Sequence, residues 1–113
     1  MLYLTTLVLT FDLSMSMLLS AYAEPVNEVA VVSDASKMGD KAYEPNPLTI
    51  KQGDTVKWIN KDFGLYTVTE NNGLFGSDDL GPDQTFEHTF VSSGTFDYHC
   101  EIHLSMTEKG VVK

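Results

Sequence analysis

Leu48-Thr49-Ile50-Lys51-Gln52-Gly53-Asp54-Thr55-Val56-Lys57-Trp58-Ile59-Asn60 is the stretch whose reading decides the fold. Leu48 and Ile50 alternate with polar neighbours, Gln52-Gly53-Asp54 is turn chemistry, and Val56 and Trp58 then share one face of a second alternating run. A hydrophobic period of two marks half-buried strands, because successive side chains leave a strand on opposite sides. Two such runs joined by a short Gly-containing turn predict a β-hairpin.

The same alternation recurs on both sides of this segment. Upstream, Val26 to Val32 is rich in β-branched residues, and Ser33 to Lys41 is polar and reads as a loop. Downstream, Tyr66 to Thr69 forms a short strand, and the Asn71-Asn72-Gly73 and Gly81-Pro82-Asp83 clusters are turns. Thr85 to Val91 carries Phe86, His88 and Phe90 on one face, Ser92-Ser93-Gly94 turns into Thr95 to Cys100, and Gly110 to Lys113 offers a closing strand. Seven or eight strands at this spacing, with almost no helix, predict an all-β Greek-key β-sandwich. One domain exhausts the 113 residues.

Residues 1–23, MLYLTTLVLTFDLSMSMLLSAYA, form a separate compositional unit. They are apolar, and Ala21-Tyr22-Ala23 ahead of Glu24 has the small-x-small form of a signal-peptidase site. Two features depart from a standard leader: no Lys or Arg precedes the apolar run, and Asp12 interrupts it. The expectation is a signal peptide on an exported protein of the periplasm or cell exterior. An uncleaved membrane anchor of the same residues is the alternative. A domain of residues 24–113 follows.

The chain has 16 acidic residues against seven lysines and no arginine, a formal charge of −9. Such a surface repels nucleic acid. It suits a protein partner with a basic docking face, and Asp78, Asp79 and Asp83 form a local cluster that could guide one or simply be a solvated turn.

The chemistry lies in Tyr98-His99-Cys100-Glu101-Ile102-His103-Leu104-Ser105-Met106. Cys100 is the only cysteine, so it makes no internal disulfide, and a lone thiol in an exported protein is a liability or a ligand. His103 and Met106 follow it at steps of three. A soft thiolate, an imidazole and a weak thioether suit a copper ion that moves between Cu(I) and Cu(II). Strand alternation puts Phe96, Tyr98 and Cys100 on the inner face and His99 on the outer one. His103 and Met106 then lie in a loop that can curl back toward the sulfur. The plain alternatives are a buried Cys100 that acts as a small hydrophobe, an exposed loop His103 and a Met106 that merely covers the core. His88, between Phe86 and Phe90, reads as packing rather than as a ligand.

Tyr43-Glu44-Pro45-Asn46-Pro47 continuing through Asn60, together with Tyr98 to Met106, resembles the cupredoxins, the small blue-copper proteins of the plastocyanin, amicyanin and halocyanin kind. The likeness spans roughly Val26 to Lys113. It implies a β-sandwich with a type 1 site at one end, Cys100 and His103 as strong ligands, and Met106 as the weak axial one. It also implies a further histidine just before a Thr-Val pair, and here Tyr66 stands in that place.

The residues leave three roles open for Tyr66: a phenolate ligand favouring Cu(II), a neutral cap beside a three-coordinate or water-bound copper, or a filler in a domain that no longer binds metal. The function expected is that of an exported carrier of one electron on one copper ion, not an enzyme, since the chain carries no Ser-His-Asp set, paired carboxylates or phosphate loop. Its partner is another redox protein. The alternatives are an open-site protein of the red-copper kind that handles a small molecule, and a metal-free or copper-sequestering module.

Overall fold

The computed structural model describes residues 26–113, so the expected leader or anchor of residues 1–23 lies outside the described residues. Eight strands run in the order β1 (Val26–Val31), β2 (Tyr43–Glu44), β3 (Leu48–Ile50), β4 (Thr55–Asn60), β5 (Thr69–Glu70), β6 (Thr85–Thr89), β7 (Gly94–His99) and β8 (Thr107–Val112). The polar stretch after β1 holds two single 3-10 turns, Ala35–Lys37 and Gly39–Lys41. The strands form two four-stranded sheets, one ordered β2-β1-β4-β6 and the other β3-β8-β7-β5. This is the expected all-β sandwich.

The apolar faces meet between the sheets. Trp58 of β4 lies at the centre, with its ring 5.5 Å from Phe86, 6.0 Å from Phe75, 6.5 Å from Phe90 and 5.5 Å from Tyr98. Its indole N–H donates to the Tyr98 hydroxyl at 3.0 Å, which satisfies the one polar atom such a ring brings into a core. Where β7 pairs antiparallel with β8, Gly110 lies opposite Phe96 so closely that a Cβ would sit 2.7 Å from the Phe96 carbonyl oxygen. Only glycine fits there.

The segment from Leu48 to Asn60 is not the hairpin its pattern predicts. β3 pairs parallel with β8, Leu48 opposite Gly110 and Ile50 opposite Val112, whereas β4 pairs parallel with β1 and antiparallel with β6. Lys51 to Asp54 is an arch from one sheet to the other. The Asp54 N–H donates to the Lys51 carbonyl at 3.1 Å, the Gly53 N–H to the Phe90 carbonyl at 2.7 Å, and the Gln52 N–H to the Lys113 carbonyl at 3.3 Å, tying the arch to both layers. Alternation specifies which face of a strand is buried and says nothing of its neighbour, so an arch and a hairpin read alike.

A second expectation also gives way. Tyr66 to Thr69 is not one strand: Tyr66 makes an isolated bridge to Leu80, and β5 is confined to Thr69–Glu70, where it pairs with β7. Tyr66, Thr67 and Val68 are all buried in succession, which a strand with one solvent face does not allow. The Thr67 N–H turns to a sulfur instead of to a neighbouring strand.

Candidate metal centre

β7 sets the direction of the site. Tyr98 on it and Cys100 just past its end point into the core, both essentially without solvent exposure. His99 points outward, its ring nitrogens 2.6 Å from the Asn71 side-chain oxygen and 2.8 Å from a Glu101 carboxylate oxygen. Immediately after β7 the chain turns back on itself. The Met106 N–H donates to the His103 carbonyl at 3.0 Å, and the Cys100 N–H donates to the Met106 carbonyl at 3.4 Å, closing the seven residues into a compact loop. Cys100 and Met106 are both fully buried, while His103 is half-buried. Thus the three residues singled out by their spacing belong to one closed turn.

The sulfur of Cys100 accepts a hydrogen bond from the Thr67 N–H at 3.3 Å. Thr67 is itself clamped. Its carbonyl accepts from the Tyr43 hydroxyl at 2.7 Å, and its hydroxyl accepts from the Glu101 N–H at 2.8 Å. A backbone donor aimed at a cysteine sulfur stabilises developing negative charge on it and orients it.

Tyr66 stands on the other side. Its backbone is pinned to Leu80 in both directions, with N–H to carbonyl distances of 3.1 and 2.7 Å. Its ring lies 5.3 Å from the His103 ring, tilted by 43°. Its hydroxyl donates to the carboxylate of Asp62. Burial and then the Asp62 carboxylate push the phenol above its ordinary range, whereas the Tyr66 hydroxyl and the Phe63 N–H hold Asp62 below its own.

Asn60, which sequence reading treated only as a strand end, is the hub that places this loop. It is fully buried; its amide nitrogen donates to the Gly64 carbonyl at 2.8 Å and to the Leu80 carbonyl at 2.9 Å, and its side-chain oxygen accepts from the Asp62 N–H at 2.9 Å. The alternation Val56, Trp58, Asn60 carries the clue: a polar residue on an inward position must find partners.

The other histidines belong elsewhere. His88 stacks on Phe75 at 4.4 Å and meets the edge of Phe90 at 4.7 Å, and burial lowers its pKa. Among the described residues no three His, Cys, Asp or Glu side chains converge as a metal-binding group. A centre built on Cys100, His103 and Met106 would depend on two sulfurs, a thiol and a buried thioether, beside one imidazole. That is a copper donor set. Beneath it, on the inner face of β8, Glu108 is 3% exposed and neither carboxylate oxygen is hydrogen-bonded. Burial pushes its pKa up to about 9, against a partial offset from the Tyr98 hydroxyl.

Residues 28–113 match the family model described as copper binding proteins, plastocyanin/azurin family. The chain belongs to this family. It is 40% identical over 96 residues to the amicyanin of Paracoccus denitrificans, an alignment covering 80% of this chain and 71% of that protein. A plastocyanin of Synechococcus is 34% identical over 94 residues, covering 68% and 69%. Among solved structures, a purple cupredoxin from Nitrosopumilus maritimus superposes with a TM-score of 0.71 at 26% identity, over 77% of this chain and 99% of the other. A reduced Cu(I) form of an amicyanin variant superposes at 0.67 with 31% identity, over 83% and 88%. The cupredoxin fold is therefore shared, and copper is the cofactor of this family.

Proposed function

We propose that this protein is an exported one-electron carrier whose single copper ion is held by Cys100 and His103, with Met106 as the weak axial donor. The observation that carries this reading is the closed loop from Cys100 to Met106, which buries a thiol and a thioether in one turn while the Thr67 N–H addresses the sulfur. Copper supplies the reversible one-electron couple. The protein supplies rigidity: the loop is closed by its own backbone, and Thr67 is tied at its N–H, its hydroxyl and its carbonyl. A donor set that need not rearrange suits an electron carrier. The likeness to amicyanin and plastocyanin supports the same reading.

Tyr66 is a neutral neighbour of the site in this reading, its oxygen turned to Asp62. The residues available to a redox partner around His103 are apolar. Phe63 and Leu65 flank the Tyr66 loop, and Ile102 and Leu104 flank His103 itself, all four exposed. Asp78, Asp79 and Asp83 line a groove that also contains Leu80, the bridge partner of Tyr66. A partner with an apolar centre and a basic edge complements both surfaces. Export rests on the apolar residues 1–23.

Copper stoichiometry and the visible spectrum of the purified protein test the function. One copper per chain with a strong visible Cu(II)-thiolate band is expected. A spectrum that shifts on adding azide favours the open small-molecule site, and a protein that takes up no copper overturns the carrier reading.

A further inference from the structure

We propose that residues 1–23 stay on the mature protein and hold it to a lipid bilayer, and that the end of the sandwich opposite Cys100 is the face that rests on that bilayer. The proposal does not depend on the copper reading. Strand direction sets the two ends. β4 finishes at Asn60 and β7 at His99, beside the Tyr66 and Cys100 loops, whereas Thr55 and Gly94 begin these strands at the far end. There the register aligns Val26 with Thr55 and Thr55 with Thr89, so β1 enters two strands from β6, roughly 10 Å away. Val26 is three residues beyond Ala23, and three residues of extended chain reach about 10 Å. Whatever surface takes up residues 1–23 therefore lies close against this end.

The far end has the chemistry of a bilayer contact. The turn after β6 carries Val91, 74% exposed, which together with Leu74, 65% exposed, rims a cavity of about 220 Å³ walled by Phe75, His88, Phe90 and Phe96. Lys51 in the arch and Lys113 just past β8 are exposed at the same end, tied together by the Gln52 N–H on the Lys113 carbonyl. The acid beside them, Asp54, is occupied, accepting from the Lys51 N–H at 3.1 Å and the Asn27 amide at 3.3 Å. Asp62, Asp78, Asp79, Asp83 and Glu101 belong to the other end, with the Tyr66 and Cys100 loops. A six-residue strand spans roughly 20 Å, against a screening length of about 8 Å in physiological salt, so those acids do not cancel the two lysines. Cations beside an apolar rim complement an anionic bilayer surface. A second copy on the same face would instead bring like charges together. Asp12 weakens residues 1–23 as an anchor, and a second attachment on the same chain reinforces the first. Docked this way, the protein turns Ile102, His103 and Leu104 away from the bilayer, to where a partner reaches them.

The test uses the full chain, free of metal so that copper uptake plays no part, in nanodiscs of phosphatidylcholine and phosphatidylglycerol doped with a nitroxide-headgroup lipid. The NMR signals of Lys51, Leu74 and Val91 are expected to broaden several-fold more than those of Leu65, Ile102 and Leu104. Val91→Asp and the Lys51→Glu/Lys113→Glu pair, all at exposed positions, are expected to shrink that difference while the chain stays in the nanodisc. Uniform broadening in the wild type, the reverse pattern, or a pattern that neither variant moves would overturn the proposal. So would an exported chain recovered from cells with a mass that starts at Glu24. Shifts of the same signals with protein concentration in lipid-free detergent would assign the face to a second copy and overturn the bilayer contact. All these outcomes leave the copper reading standing, and a protein that takes up no copper leaves this one standing.

Discussion

Two loops meet at the proposed centre, and they are built in different ways. The Cys100 to Met106 loop is local: seven consecutive residues, closed by two backbone hydrogen bonds between its own members, carry the three donors of the proposed site. The Asn60 to Tyr66 loop is held from a distance. Its geometry depends on Asn60 reaching Leu80, and on Leu80 gripping Tyr66, across 14 to 20 positions of chain. In the proposed site the first loop chooses the metal through the identity of its donors. The second decides what stands in the remaining position, and it does so through contacts that no spacing rule describes. Chemistry encoded in a short motif and chemistry assembled by packing thus meet at one site.

Breaking the local loop has the largest expected effect. Cys100→Ser removes the soft anionic donor and is expected to abolish the visible band and most copper binding at stoichiometric metal; a coloured variant would show that the sulfur is not the ligand. Tyr66→His sharpens the contrast from the other side, placing an imidazole on the packed loop. It is expected to raise copper affinity and move the spectrum toward that of an ordinary blue site, and unchanged absorption and copper content would place this position outside the coordination sphere.

Asn60→Ala attacks the packed loop at its hub. Three hydrogen bonds are lost, leaving the Gly64 carbonyl without its donor and the Asp62 N–H without its acceptor, so a destabilisation of about 3 kcal/mol is expected in chemical denaturation of the metal-free protein. The aromatic NMR signals of Tyr66 should shift more than those of Tyr98. Equal perturbation of both would mean that the hub serves the whole core.

The last effect, read as a dependence on pH rather than as a loss at one pH, concerns Glu108, on the strand that leaves the local loop. Its folded-state pKa of about 9 lies above the ordinary 4.5, so between these values the folded protein keeps a proton that the unfolded chain releases. This contribution favours folding fully at low pH and is lost as pH rises through that window. Glu108→Gln is expected to flatten the decline and to raise the denaturation midpoint more at pH 8 than at pH 5. A midpoint difference independent of pH would show that the carboxyl is ionised in the fold.

Much of the fold was legible beforehand because strand alternation is a local property. The inward set Val56, Trp58, Phe90, Tyr98 and Cys100, and the outward set with His99, follow from a period of two and are where the fold puts them. The partner of each strand was not legible. Leu48–Ile50 and Thr55–Asn60 show the same alternation whether they lie in one sheet or in two facing ones, and the choice depends on β8 and β1, far away in the chain. At the proposed site, Cys100, His103 and Met106 are singled out by spacing, whereas Asn60, Asp62 and Thr67 are not. Their roles arise from backbone groups and a carboxylate that meet only when the two sheets close.

The amino-acid order alone determined a two-layer strand protein with a sulfur-rich donor loop, because face alternation and donor chemistry are properties of neighbouring residues. Tertiary structure alone decided which strands pair, which N–H addresses the cysteine sulfur and which way the Tyr66 hydroxyl turns. Hydrogen bonds between residues distant in the chain have no signature until burial forces each polar atom to find its partner.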